Sequence, residues 1–123
     1  MKKLFILPLL LLLASCYNQE RNCKDFKTGK FTFTQVIDKV KKTSTFQRTQ
    51  NLQIETFEGK TDTATVRWVN DCECILQKLH PKNMQEKKSI SMRIMTTNKK
   101  TYTFEYSYVG EAKKEIGTVT KTD

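Results

Sequence analysis

Histidine occurs once in this chain, at position 80, and glycine only four times, at positions 29, 59, 110 and 117. A single histidine confines any Ser-His-Asp or Cys-His arrangement to His80, which stands just before Pro81 with no serine or cysteine beside it. Glycines scattered in this way do not form a phosphate-cradling loop. Asp71-Cys72-Glu73-Cys74 with His80 holds metal-ligating side chains, but a structural zinc site wants a second pair of ligands at knuckle spacing, and none follows. Glu55, Glu58 and Glu105 read as solvated carboxylates. These absences predict a protein that is not an enzyme, with no catalytic residue, no metal and no cofactor. Helical periodicity, internal repeats and low-complexity runs are also missing. The longest apolar run, Leu4 to Leu13, is too short to span a bilayer.

That run is placed as a secretory signal would be, behind the positive Met1-Lys2-Lys3 and ahead of Leu13-Ala14-Ser15-Cys16. The last four residues resemble the bacterial lipobox, in which the cysteine thiol is diacylated and the signal is cut just before it. The resemblance implies a lipoprotein signal peptide over 1–15, a lipidated Cys16 with a tether over 16–27, and one β domain over 28–123. It places the mature protein at the outer membrane, lipid-anchored and facing the periplasm or the cell surface. Tyr17 gives no signal for inner-membrane retention. Removing fifteen residues from 123 leaves 108, and losing Lys2 and Lys3 lowers the net charge from +9 to +7. One small domain follows, with a limited core. Its lysines are dispersed along the chain, as on a solvated surface. The expected partners are the membrane through the anchor and an envelope protein or anionic glycan. Export excludes nucleic acid.

With Cys16 lipidated, Cys23, Cys72 and Cys74 remain. An oxidising compartment favours a bridge between Cys23 and one of the other two. Cys72 and Cys74, two apart on a strand, point the same way and are poor partners. A bridge from Cys23 would close a loop of roughly 50 residues, worth about 4 kcal/mol in the chain-entropy model.

From Thr28 onward, alternation of period two dominates. Phe31 and Phe33 mark a first strand, Phe46 a second, Leu52 and Ile54 a third, and Val66 and Trp68 a fourth. Asn70-Asp71 turns into a fifth over Cys72 to Leu79. Ile90, Met92 and Ile94 face Tyr102, Phe104, Tyr106 and Tyr108 in the clearest hairpin, and Ile116 with Val119 marks the last strand. About eight strands without crossover helices predict a single antiparallel up-and-down meander. A lipocalin-like barrel comes first, and a partly open barrel or flattened sandwich second. Phe31, Phe33, Phe46, Ile54, Val66, Trp68, Ile90, Met92, Ile94, Tyr102, Phe104 and Tyr106 form the expected core. Should a cavity exist, Trp68, Met92, Tyr102, Phe104 and Tyr106 are its candidate lining. His80 to Lys88 is the longest irregular segment after the tether, which makes His80, Lys82, Lys87 and Lys88 the candidate binding rim.

The stretches Asn22-Cys23-Lys24-Asp25-Phe26-Lys27-Thr28-Gly29-Lys30-Phe31, Phe57-Glu58-Gly59-Lys60-Thr61-Asp62-Thr63-Ala64, Trp68-Val69-Asn70-Asp71-Cys72-Glu73 and Gly117-Thr118-Val119-Thr120-Lys121 resemble small lipobox-containing lipoproteins of unassigned function from the Bacteroidota. The resemblance implies a Cys23–Cys72 pair, with Cys74 a departure where such chains carry an aromatic. Some of them bear a DNA topoisomerase IV name. Strand breakage needs an attacking tyrosine within a large DNA-gripping assembly, and a small anchored domain offers neither. Two functions from different classes follow: a non-catalytic envelope lipoprotein acting as a binding or scaffolding domain, and a lipocalin-like barrel holding a small apolar ligand. An internal cavity separates them. An inhibitor of host lysozyme fits in size, but lysozyme is itself basic and a +7 domain would begin by repelling it.

Overall fold

The computed structural model describes residues 21–123. The expected signal peptide, the expected lipidation site at Cys16 and the first part of the expected tether lie outside the described residues. A short 3-10 turn, Cys23–Phe26, precedes eight strands. These are β1 (Gly29–Ile37), β2 (Val40–Arg48), β3 (Leu52–Phe57), β4 (Lys60–Asn70), β5 (Glu73–Lys78), β6 (Ile90–Asn98), β7 (Thr101–Tyr108) and β8 (Glu115–Lys121). Each pairs antiparallel with the next, and β8 returns to β1 through Phe31 opposite Lys121 and Phe33 opposite Val119. The sheet is a closed up-and-down barrel, with no strand edge left unpaired.

Tight turns make the meander possible. Asp38 and Lys39 join β1 to β2 with φ of 51° and 67°. Two consecutive left-handed residues are what a two-residue hairpin needs to match strand twist. Between β3 and β4, Glu58 and Gly59 do the same with φ of 50° and 77°. Only one connection around the barrel is long and irregular, the segment from Leu79 to Ser89 between β5 and β6.

The interior gathers the alternating residues of each strand. Phe31, Phe46, Val66, Met92, Ile94, Tyr102, Phe104 and Val119 are buried, with Phe33, Trp68, Leu76 and Tyr106 packed against them. One strand departs from the expected face. Ile54 is 37% exposed and points outward with Thr56, while Gln53 and Glu55 face the lumen. Register explains the inversion: inward-facing Phe46 and Arg48 of β2 stand opposite Glu55 and Gln53. A one-residue offset sends every side chain of a strand to the other face. On β8, likewise, Ile116 is exposed while Val119 is buried.

The N-terminal segment seals one end of the barrel. Cys23 is bonded to Cys72 in the β4–β5 turn, with their Cα atoms 5.2 Å apart. The Asn22 amide donates to Thr97 Oγ1 at 2.8 Å, Lys27 Nζ to Asp71 Oδ1 at 3.0 Å, and Lys121 Nζ to the Asp25 carbonyl at 2.8 Å. Phe26 is 2% exposed and meets the Tyr102 ring edge-on, with centroids 5.2 Å apart. From Cys23 onward, the stretch grouped by sequence with the tether therefore sits inside the folded domain as a plug.

Candidate functional site: the barrel lumen and its mouth

Small eight-stranded barrels are just wide enough to be filled by their own side chains. This one is not completely filled. A cavity of about 260 Å³ lies in the lumen between the plug and the opposite end. Phe33, Phe46, Tyr102, Phe104 and Tyr106 give it aromatic walls, and Leu76, Ile90, Met92 and Val119 complete the apolar surface. The rings brace one another: Phe104 meets Phe33 and Tyr102 edge-on at 5.6 and 5.8 Å and stacks on Tyr106 at 5.3 Å. Gly117 makes room for them. A Cβ there would come within 2.8 Å of the Phe33 ring and 2.9 Å of the Phe104 ring.

Of the five side chains expected to line a cavity, Met92, Tyr102, Phe104 and Tyr106 do so. Trp68 does not: it packs at the sealed end, with Lys27 Nζ 5.2 Å and the Arg48 guanidinium 5.5 Å from its ring.

Besides the tyrosines, the polar side chains that line the cavity are Gln35, Arg48, Gln53 and Glu55. Arg48 is 2% exposed. Its Nε donates to the Lys27 carbonyl at 3.0 Å, and Nη1 to Gln53 Oε1 at 3.0 Å. Nη2 donates to the Phe26 carbonyl at 2.6 Å and to the Tyr102 hydroxyl at 3.2 Å. The guanidinium carbon lies 4.8 Å from the Phe31 ring, 5.5 Å from Phe46 and 5.9 Å from Tyr102. Among the described residues no carboxylate forms an ion pair with it. The charge is held by neutral acceptors and aromatic faces. Burial pushes the Tyr102 phenol above its ordinary pKa, against the opposing pull of Arg48, so the phenol is neutral at physiological pH. Glu55, half-buried on β3, has no hydrogen-bond or ion-pair partner among the described residues.

The other end is the mouth. Glu55, Gln53, Leu76 and Ile90 also border a smaller recess of about 130 Å³, where Asp62, Lys78, Glu86 and Lys88 gather. Lys78 pairs with Asp62 at 2.9 Å and with Glu86 at 3.6 Å, which ties the β5–β6 segment to β4. The Lys82 amide donates to Glu86 Oε1 at 2.9 Å, and the Glu86 amide to Asn83 Oδ1 at 2.8 Å. The expected rim residues thus share one connection, in different roles. His80, Lys82 and Lys87 are exposed, whereas Lys88 pairs with Glu111 at 3.2 Å and lies 5.6 Å from the Tyr108 ring. The mouth also displays apolar tips, with Val36 69%, Val40 53%, Met84 74% and Val109 55% exposed.

Two cysteine readings resolve together. Cys72 belongs to the disulfide, and Cys74 is free, fully buried and pushed up to about 11 by burial. Among the described residues no three His, Cys, Asp or Glu side chains stand close enough to hold a metal ion.

Sequence reasoning missed Arg48, Gln53 and Glu55. Alternation from Phe46 would have carried Arg48 inward. Gln53 and Glu55 gave no such signal, because Leu52 and Ile54 claimed the inner face of β3.

The fold and lumen define an eight-stranded up-and-down barrel, sealed at one end and hollow toward the other. Comparison with family models, curated proteins and solved structures gives no match to the chain.

Proposed function

We propose that this chain is a non-catalytic binding barrel, held at a membrane through acyl groups on Cys16, that carries a small and largely apolar ligand in its lumen. The observation that carries the reading is the cavity of about 260 Å³ behind Tyr102, Phe104 and Tyr106. At about 30 Å³ per liquid water it has room for roughly eight or nine waters. That falls just under the common range for ligand sites of about 300–1,000 Å³, so the ligand is small. Many apolar walls with a few fixed polar groups are the usual composition of such sites. Support for the tethered arrangement comes from the plug. The chain enters the barrel at its sealed end, so a lipid anchor upstream would leave the mouth facing away from the membrane.

The test is a titration of the full chain in lipid nanodiscs with 3-phenylpropanol, a neutral aromatic of suitable size, followed by calorimetry. Saturable one-site binding beyond that of empty nanodiscs supports the proposal. Uptake equal to that of empty nanodiscs contradicts it.

The apolar tips Val36, Val40, Met84 and Val109 favour a second reading, in which the mouth docks an envelope protein or anionic glycan. Charge reversal at Lys82 and Lys87 should then weaken recovery of that partner from native membranes. Recovery unchanged by the reversals would leave the lumen as the better account.

A further inference from the structure

The lumen has a polarity that its apolar walls do not explain. Among the described residues, a buried cation at its sealed end has no carboxylate partner, and a carboxylate nearer the mouth, on the adjoining strand, has no ion-pair partner. We propose that the ligand is an amphiphilic monoacid, seated with its anionic head against Arg48, Gln53 and Tyr102 and its apolar body against Phe33, Phe104 and Tyr106. This rests on the ligand-binding reading of the lumen and names the ligand class.

The donor inventory supports the seat. A guanidinium carries five N–H donors, and the four bonds to Lys27, Gln53, Phe26 and Tyr102 engage four of them. The remaining N–H is on Nη1. Gln53 accepts from Arg48 through Oε1, and among the described residues its amide N–H₂ has no acceptor. Tyr102 accepts through its hydroxyl oxygen, which leaves its own proton to donate. Three donors from three strands therefore surround one positive charge, beside an open cavity that all three residues line. A carboxylate there makes charge-assisted hydrogen bonds beside a guanidinium that is itself buried. It also supplies the counter-charge that the described residues do not.

Glu55 sets the direction. It faces the same cavity two residues nearer the mouth than Gln53 and repels a second acid group on the ligand. Discrimination then runs two ways: for an acid over the matching alcohol, and for one acid group over two.

The experiment compares 3-phenylpropanoate, 3-phenylpropanol and a phenylpropanoate bearing a second carboxylate on the ring. Each is titrated into the full chain in neutral-lipid nanodiscs at pH 7. Trp68 is the only tryptophan and its ring lies 5.5 Å from the Arg48 guanidinium, so its emission reports on the seat. The monoacid is expected to bind at least about tenfold more tightly than the alcohol, equivalent to about 1.4 kcal/mol. The diacid should bind more weakly than the monoacid and recover in Glu55→Gln. The variant Gln53→Leu should weaken the acid by a larger factor than it changes the alcohol, which narrows the acid–alcohol ratio. Alcohol binding equal to or tighter than acid binding overturns the seat while leaving a ligand-binding lumen. Failure of all three to bind overturns the lumen reading itself. The acid–alcohol comparison needs no variant, so it decides the matter even if a substitution fails to fold.

Discussion

Arg48 Nη2 donates to the Phe26 carbonyl at 2.6 Å, and this bond joins the floor of the lumen to the N-terminal plug. The same guanidinium holds Gln53 and Tyr102, so the plug, β2, β3 and β7 meet at one side chain. A segment of the tether's composition thereby becomes part of the sealed end of the barrel. The Cys23–Cys72 bond fixes its far side to the β4–β5 turn. Any movement of the plug would be felt at Arg48.

The two faces of the barrel should respond differently to truncation. Phe104 is 9% exposed and touches three other rings, so Phe104→Ala is expected to cost about 3–5 kcal/mol. Ile54→Thr, on the outer face of β3, should cost less than about 1 kcal/mol. Denaturant unfolding of both variants measures the difference. Equal costs would put Ile54 back in the interior and undo the β3 register.

Reduction and alkylation separate the three described cysteines. Breaking the Cys23–Cys72 bond opens a loop with a sequence separation of 49, and the chain-entropy model gives a loss of about 4 kcal/mol. Cys74 should resist iodoacetamide in the native protein, because it has no exposed surface and its thiol is pushed up to about 11. It should react at once in denaturant. Mass spectrometry after a neutral-pH pulse reads both outcomes, and native labelling of Cys74 would contradict its placement.

At the mouth, the Lys78–Asp62 pair gives a pH signature. The hydrogen bond from Lys78 holds the Asp62 carboxyl below its ordinary value, and the same bond raises Lys78. A depressed carboxylate stabilises the fold above its unfolded value, near about 3.9, and loses that contribution as pH falls through the folded value. The raised lysine contributes below its unfolded value, near about 10.4, and loses that contribution as pH rises through the folded one. Both groups are largely solvated, so the effect on stability is small. NMR titration of the Asp62 carboxyl should show a midpoint below about 3.9 that rises in Lys78→Met. No change in the variant would mean that the pair does not form.

Gly117 allows lumen volume to be changed from the wall. The atoms a Cβ would meet belong to the Phe33 and Phe104 rings, which border the cavity, so admitting it requires those rings to shift. Gly117→Ala is expected to fold, at a cost of about 1–3 kcal/mol, and to bind 3-phenylpropanol more weakly than the native chain. Undiminished binding in a folded variant would place the ligand elsewhere.

Much of this architecture was legible in the sequence, because period-two alternation and tight turns are local signals. The eight strands, their meander order and the hairpin from Ile90 to Tyr108 all follow from them. Face assignment on β3 was not legible, since it depends on pairing with β2 and not on the apolar residues of β3 itself. Leu52 and Ile54 alternate correctly but on the outside. For the same reason Gln53 and Glu55 stayed hidden, since both lie on β3. Arg48 alternates in phase with Phe46 on β2, and only its charge argued for the surface. Phe26 was obscured by its neighbours, because a plug that crosses the barrel end through a 3-10 turn has no strand periodicity to reveal it.

Occupancy of the lumen is the central claim, and NMR of methyl groups in the full chain tests it most directly. Ile90 and Met92 line the cavity, whereas Ile54 and Ile116 are exposed on the outside of the same barrel. On titration with 3-phenylpropanoate in nanodiscs, the Ile90 and Met92 methyl resonances should shift along a single saturable curve. Those of Ile54 and Ile116 should stay in place. Shifts confined to Ile54 and Ile116, or absent from all four, would contradict a ligand-binding lumen.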